Sequence, residues 1–143
     1  MRAALAALLA RRDYSVAAAR GQLIERGAPA DLAAQVVAEF AAKRYLDDAR
    51  YAGNLVAYYA VRGQGPLRVA LELRRRGVAE SLIERALGAE IDWVARCREV
   101  RRRKFGIALP QTLRDKGRQA RFLQSRGFSS DHIRLALGSD PDE

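Results

Sequence analysis

Leu23-Ile24-Glu25-Arg26-Gly27, Leu73-Arg74-Arg75-Arg76-Gly77 and Leu123-Gln124-Ser125-Arg126-Gly127 stand 50 residues apart, and each reads Leu-x-x-Arg-Gly. Apolar columns continue beyond the glycines: Ala33, Ile83 and Ile133, then Val36, Ala86 and Ala136, then Val37, Leu87 and Leu137. Three identities followed by three matched apolar columns mark a tandem repeat. A period of this size belongs to helical arrays in which neighbouring units bury each other's faces. The fold class read from it is all-α, an elongated tandem array of three-helix, helix-turn-helix-like repeats with a period of about 50 residues.

Local chemistry supplies the helices. Ser15 caps a helix that Gly27 ends, because glycine takes the left-handed conformation at the residue after the C-cap. Pro29 opens the next helix, where its missing N–H costs nothing. Leu32, Val36, Val37 and Phe40 form its apolar stripe. A third helix starts at Leu46-Asp47-Asp48, with Asp47 as N-cap, Asp48 at the positive helix end and Leu46 with Tyr51 as a hydrophobic staple. Tyr51, Leu55 and Tyr58 continue its buried face to Gly63. Tyr58 and Tyr59 cannot both face inward, so Tyr59 is expected outside.

The second unit opens at Gly65-Pro66 and closes with a helix from about Asp92 to Phe105. On that helix Trp93, Val94, Cys97 and Val100 share one side, flanked by Arg96, Arg98, Arg102 and Arg103. Lys104 falls near the stripe, its stem packed and its ammonium in water. Gly106 to Gly117 reads as a linker. The last unit holds a helix to Gly127 and a Ser129-capped helix stopping at Gly138, with no third helix. The boundaries are therefore a helical lead-in at 1–14, repeat 1 at 15–64, repeat 2 at 65–113, repeat 3 at 114–138 and an acidic tail at 139–143, expected to be disordered.

Composition excludes several classes. Of 143 residues, 27 are Ala, and Pro is limited to four, which is helix-forming material. The single Cys97 rules out a disulfide framework, and one histidine, His132, rules out a His-based metal cluster. Ala3 to Ala10 is apolar but too short to span a bilayer, and Arg11, Arg12 and Asp13 follow where a signal peptide would need a small-residue cleavage site. The expectation is a soluble, cytoplasmic monomer. Gly63-Gln64-Gly65-Pro66 lacks the Lys of a phosphate loop, and Asp131 beside His132 makes no catalytic pair, because adjacent helix positions do not face each other. No catalytic residue, metal site or cofactor is read.

Charge is concentrated. The net charge is +9 overall, and residues 94–126 alone carry 11 basic side chains against Glu99 and Asp115. Such a stretch is either a solvated helix face or an attractive field for phosphates or an acidic protein surface. Arg26, Arg76 and Arg126 likewise have two readings: cations favouring the helix dipole, or members of a shared binding stripe. Gly27, Gly77, Gly127, Leu23, Leu73, Leu123 and Asp47 read as structural.

Tyr45-Leu46-Asp47-Asp48-Ala49-Arg50-Tyr51, then Gly63-x-Gly65-Pro66-x-Arg68, then Arg121-Phe122-Leu123-x-x-Arg126-Gly127-Phe128 resemble the signatures of the RecX regulatory proteins of bacteria. The motifs occur in the right order and span about residues 12–138. Ile91-Asp92-Trp93, Arg103-Lys104-Phe105-Gly106 and Leu109-Pro110 resemble the proteobacterial branch. The resemblance implies a non-enzymatic modulator of the RecA recombinase that binds along the RecA–DNA filament. It would inhibit strand exchange, ATP hydrolysis and co-protease activity, and so restrain recombination and the SOS response. Weak binding to DNA alone is also implied. The cationic side would be supplied by Arg68, Arg74, Arg75, Arg76, Arg98, Arg102, Arg103, Arg118, Arg121 and Arg126. The competing reading is a helical module that binds DNA directly, with no recombinase partner. The chain departs from the family pattern at Ala18, Ala19, Gly21, Asn54 and Tyr58, so the first unit is expected to be less stable and to bind more weakly.

Overall fold

Helix starts are set by single side chains. Ser15, Asp92, Thr112 and Ser129 each accept the backbone N–H three residues on, from Ala18 (3.1 Å), Ala95 (3.0 Å), Asp115 (3.1 Å) and His132 (3.3 Å). Asp47 does the same for Arg50 at 3.1 Å. A computed structural model describes residues 1–88 and 90–138. Among them run nine helices and no strand: α1 Arg2–Arg11, α2 Val16–Glu25, α3 Ala30–Ala42, α4 Asp48–Val61, α5 Pro66–Arg75, α6 Glu80–Gly88, α7 Trp93–Phe105, α8 Leu113–Ser125 and α9 Ser130–Ala136. The fold is all-α. The acidic tail expected at 139–143 lies outside the described residues.

The repeated Leu-x-x-Arg-Gly is a helix ending. In α2, α5 and α8 the glycine has a positive φ (Gly27 +95°, Gly77 +77°, Gly127 +94°). The residue after it donates to the leucine carbonyl: Ala28 to Leu23 at 3.0 Å, Val78 to Leu73 at 3.1 Å and Phe128 to Leu123 at 3.2 Å. The glycine N–H bonds the residue after the leucine, to Ile24, Arg74 and Gln124. This is a Schellman closure three times over. Leu23, Leu73 and Leu123 are wholly buried, so the column joins the helix end to the core.

Two compact units are present. The first comprises residues 1–54 and 72–86. Leu5 and Leu8 of α1, Leu23 of α2, and Ala33, Val36 and Phe40 of α3 share its core with Tyr14 and Leu46. α2 starts against the end of α5. The Ser15 hydroxyl donates to the Arg76 carbonyl at 2.6 Å, and a Cβ on Gly77 would sit 2.5 Å from that of Ala17. Asp48 turns its carboxylate to the Val16 N–H at 2.8 Å, satisfying one of α2's orphan donors.

Among the described residues, the second unit holds 55–71, 87–88 and 90–138. Here α7 packs on α8 and α9, and α8 on α9. The joint of the first unit recurs with backbone in place of the serine. The Gly65 N–H donates to the Arg126 carbonyl at 2.7 Å, and the Leu67 N–H to the Gly127 carbonyl at 2.9 Å. A Cβ on Gly65 would fall 2.5 Å from the Gly127 carbonyl carbon, so the two chains meet backbone to backbone.

Three expectations are corrected. Leu32 is 38% exposed, and Ala33 takes its inward place on α3. Tyr58 is the outward tyrosine, at 51% exposure, while Tyr59 is half-buried. The linker is shorter than Gly106 to Gly117: Thr112 caps α8 one turn earlier than the repeat register would, so Gly117 lies inside the helix.

Candidate functional site

α7 decides where the cations go. Its buried positions are Trp93, Cys97 and Arg101, spaced i, i+4, i+8. The Trp93 indole N–H donates to the Leu87 carbonyl at 2.9 Å. Burial pushes the Cys97 thiol up to about 12, against the pull of Arg101 and Arg98, so it is an inert packed thiol. Arg101 is 2% exposed. Its guanidinium donates to the Ala108 and Ile107 carbonyls, both at 3.2 Å, and so fastens the segment between α7 and α8. Burial, and then the neighbouring Arg102 charge, lower its pKa from the ordinary arginine value.

The remaining cations of α7 leave on two flanks. On one, Arg96, Arg103 and Lys104 meet Arg62, just past α4, and Arg126, just past α8, around a cleft of about 300 Å³. Ala60, Val61, Val100 and Phe122 are its apolar lining, and Glu99, which also lines it, pairs with Arg103 at 3.3 Å. Phe122 meets Phe105 edge to face at 5.5 Å, with the Lys104 ammonium 5.4 Å and the Arg126 guanidinium 5.3 Å from its ring centre. Lys104 is thus exposed, its ammonium tied to the ring rather than merely trailing into water. On the other flank, Arg98 and Arg102 line a second cleft of about 400 Å³ with Ile107, Leu109 and Leu135.

Arg118 stands over Phe105 at 5.3 Å and shares an exposed face of α8 with Arg114 and Arg121, at i, i+4 and i+7. Arg68 is exposed at its head, and its backbone and Cβ pack on Gly127. Arg74 pairs with Glu80, Arg75 with Glu72 at 3.1 Å, and Arg76 with Glu72 at 2.7 Å. Those three charges are partly neutralised at source. Hydrogen bonding from Arg76 holds the Glu72 carboxyl below its ordinary value. The column Arg26, Arg76, Arg126 reaches back four residues in each case: to Gln22 (2.8 Å), to Glu72, and over Phe122. Arg126 also lines the first cleft.

Arg62 and Arg101 escaped the sequence reading. Arg101 had a signal, since it lies four residues beyond Cys97 on the apolar stripe. Arg62 had none, because it joins the cleft only through packing. Among the described residues, no group of three or more His, Cys, Asp or Glu could hold a metal ion, and no helix is long and apolar enough to cross a membrane.

Known proteins share this sequence and fold. Family models described as RecX, second three-helix domain, and RecX, third three-helix domain, match residues 47–87 and 90–137. Each takes in three helices, α4–α6 and α7–α9, starting one helix away from the register of the 50-residue count. The regulatory protein RecX of Halorhodospira halophila (strain DSM 244 / SL1) is 41% identical over 137 residues, 95% of this chain and 85% of that one. The regulatory protein RecX of Ectopseudomonas mendocina (strain ymp) is 41% identical over 135 residues, 93% and 90% of the two chains. Among solved structures, RecX from Lactobacillus salivarius superposes with a TM-score of 0.83 at 17% identity, covering 95% of this chain and 91% of that one. With two three-helix models, these relatives and that shared fold in agreement, the chain belongs to the RecX family of regulatory proteins.

Proposed function

We propose that this protein binds the RecA–DNA filament and restrains the recombinase, lowering its strand exchange, ATP hydrolysis and co-protease activity, with no chemistry of its own. Family membership supports the regulatory role. The observation that carries the mechanism is the gathering of α7 and α8 cations around two clefts and one helix face of a single compact unit. A field of that sign, spread over several sub-surfaces, suits a large anionic assembly gripped at many weak points. The ten arginines named from the sequence contribute unequally to this grip. Those of α7 and α8 lead, and Arg74, Arg75 and Arg76 take second place because Glu72 and Glu80 hold them.

RecA ATPase on single-stranded DNA, with this protein at substoichiometric amounts, tests the reading. Inhibition is expected, and R102E/R103E, which reverses one cation on each flank of α7, should abolish most of it while leaving the helical circular dichroism intact. Unchanged inhibition by that variant would remove α7 from the contact surface. A second reading, direct binding to DNA, is favoured by Arg114, Arg118 and Arg121 in line on α8. It requires tight binding to naked DNA that falls by roughly one log unit per log unit of salt for each phosphate contacted, with no added effect of recombinase.

A further inference from the structure

The cleft between Arg62, Arg96, Arg103 and Arg126 makes two demands of an occupant. Its rim asks for negative charge. Its apolar lining, Val61, Val100 and Phe122, asks for an apolar group to cover it, and Val61 is 65% exposed.

Nucleic acid meets the first demand and fails the second. Single strands fill apolar sites by stacking bases on open aromatic faces. Phe122 and the nearby Tyr58 are each already engaged with cations. The edge contact from Phe105 and the Lys104 and Arg126 cations already occupy the surroundings of Phe122. The nearby Tyr58 ring carries the Arg62 guanidinium 3.5 Å from its centre. Glu99 adds a carboxylate to the rim, paired with Arg103 at 3.3 Å. A phosphate backbone, charged at every unit, would have to run past it, whereas a peptide can set its carboxylates to either side. At about 300 Å³ the cleft has the size of a small-ligand site, which suits an anchoring side chain and not a helix or duplex.

We propose that this cleft docks an acidic protein segment bearing one apolar anchor, the anchor resting on Val61 and Val100 and its flanking carboxylates facing Arg62, Arg96 and Arg126. This deepens the proposed function and rests on its premise that the cations of this unit face a macromolecular partner. The docking segment takes the form common at interfaces, a single buried anchor within a charged rim. Arg126 and Arg62 are pre-positioned for it by their contacts with Phe122 and Tyr58, so ordering them costs the complex little.

Fluorescence anisotropy with three labelled probes tests this on the full chain. One is a short peptide of Asp and Glu with a central Phe, the second has Ala at that position, and the third is oligo-dT. The Phe peptide is expected to bind, and the Ala peptide to bind about tenfold more weakly. R62E/R96E should weaken the Phe peptide by at least about tenfold, and R20E, at an exposed position of α2, should leave it unchanged. Equal binding of the two peptides, displacement of the Phe peptide by oligo-dT at lower concentration than by itself, or no effect of R62E/R96E would each overturn the proposal. The Ala peptide keeps the test sound even if a protein variant fails to fold. Because no recombinase is present, loss of peptide binding overturns the cleft assignment alone, and absence of RecA inhibition overturns the proposed function alone.

Discussion

Gly27, Gly77 and Gly127 occupy one column of the repeat and share a left-handed backbone, yet their surroundings differ. A Cβ on Gly27 would meet nothing within 4 Å, one on Gly77 would strike Ala17 Cβ at 2.5 Å, and one on Gly127 would strike Arg68, its backbone N at 2.8 Å. Gly27→Ala should therefore cost about 1 kcal/mol, the strain of the positive φ alone. Gly127→Ala should cost about 2 kcal/mol or more, because backbone on both sides must shift. Urea unfolding of the two variants checks the order. Gly21 is the opposite case: it lies inside α2, has no positive φ and would place a Cβ in open space. Gly21→Ala should raise stability by about 0.5–1 kcal/mol, by the same measurement. Arg101→Ala should cost about 2–3 kcal/mol, since it leaves a cavity and two carbonyls that lose charged donors.

At the scale of elements, short helices depend on how their ends and single polar groups are treated. α9 has seven residues and carries His132, half-buried beside α7. Burial pushes its imidazole below the ordinary value of 6.5, although Asp131 and Asp92 pull the other way. The unfolded chain therefore takes up this proton first as pH falls. The stability gained by keeping His132 neutral is present above about pH 6.5 and declines below it, until the folded-state value is passed. The melting temperature should fall between about pH 7 and pH 5.5, and His132→Gln should flatten that slope. Glu39 and Glu72 act in a lower window. Arg2 and Arg76 hold their carboxyls below the ordinary 4.5, so their contribution is complete above that value and is lost as pH drops through the depressed one. α8 shows how a local signal outranks a repeat register. Thr112-Leu113-Arg114-Asp115 is a capping sequence, and it adds a turn that the 50-residue count assigns to the linker.

For the whole molecule, the net charge of +9 matters less than how it is partnered. Arg74, Arg75 and Arg76 are engaged with Glu72 and Glu80, and on α7 Arg103 pairs with Glu99 at 3.3 Å. Under the proposed function, R74Q/R75Q should change RecA inhibition by less than about threefold, and R102E/R103E by more than about tenfold, in the same ATPase titration. Raising salt should weaken the protein's grip on any anionic partner, steeply if phosphates dominate and shallowly if an apolar anchor carries the cleft.

Nearly every helix and most helix ends were legible in the sequence, as were the inert Cys97 and the core Trp93. Caps, C-terminal glycines and i, i+4 stripes act through bonds a few residues long, so the amino-acid order alone determines them. Packing decided the rest. Whether an arginine of the repeat is spent on Glu72, laid over Phe122 or, like Arg101, buried on backbone carbonyls depends on groups brought near by other helices. So does the meeting of Arg62 with Arg103, residues far apart in the chain whose charges add only once α4, α7 and α8 are folded together. Coulomb and packing energies depend on distance in space, and only the tertiary structure sets that distance.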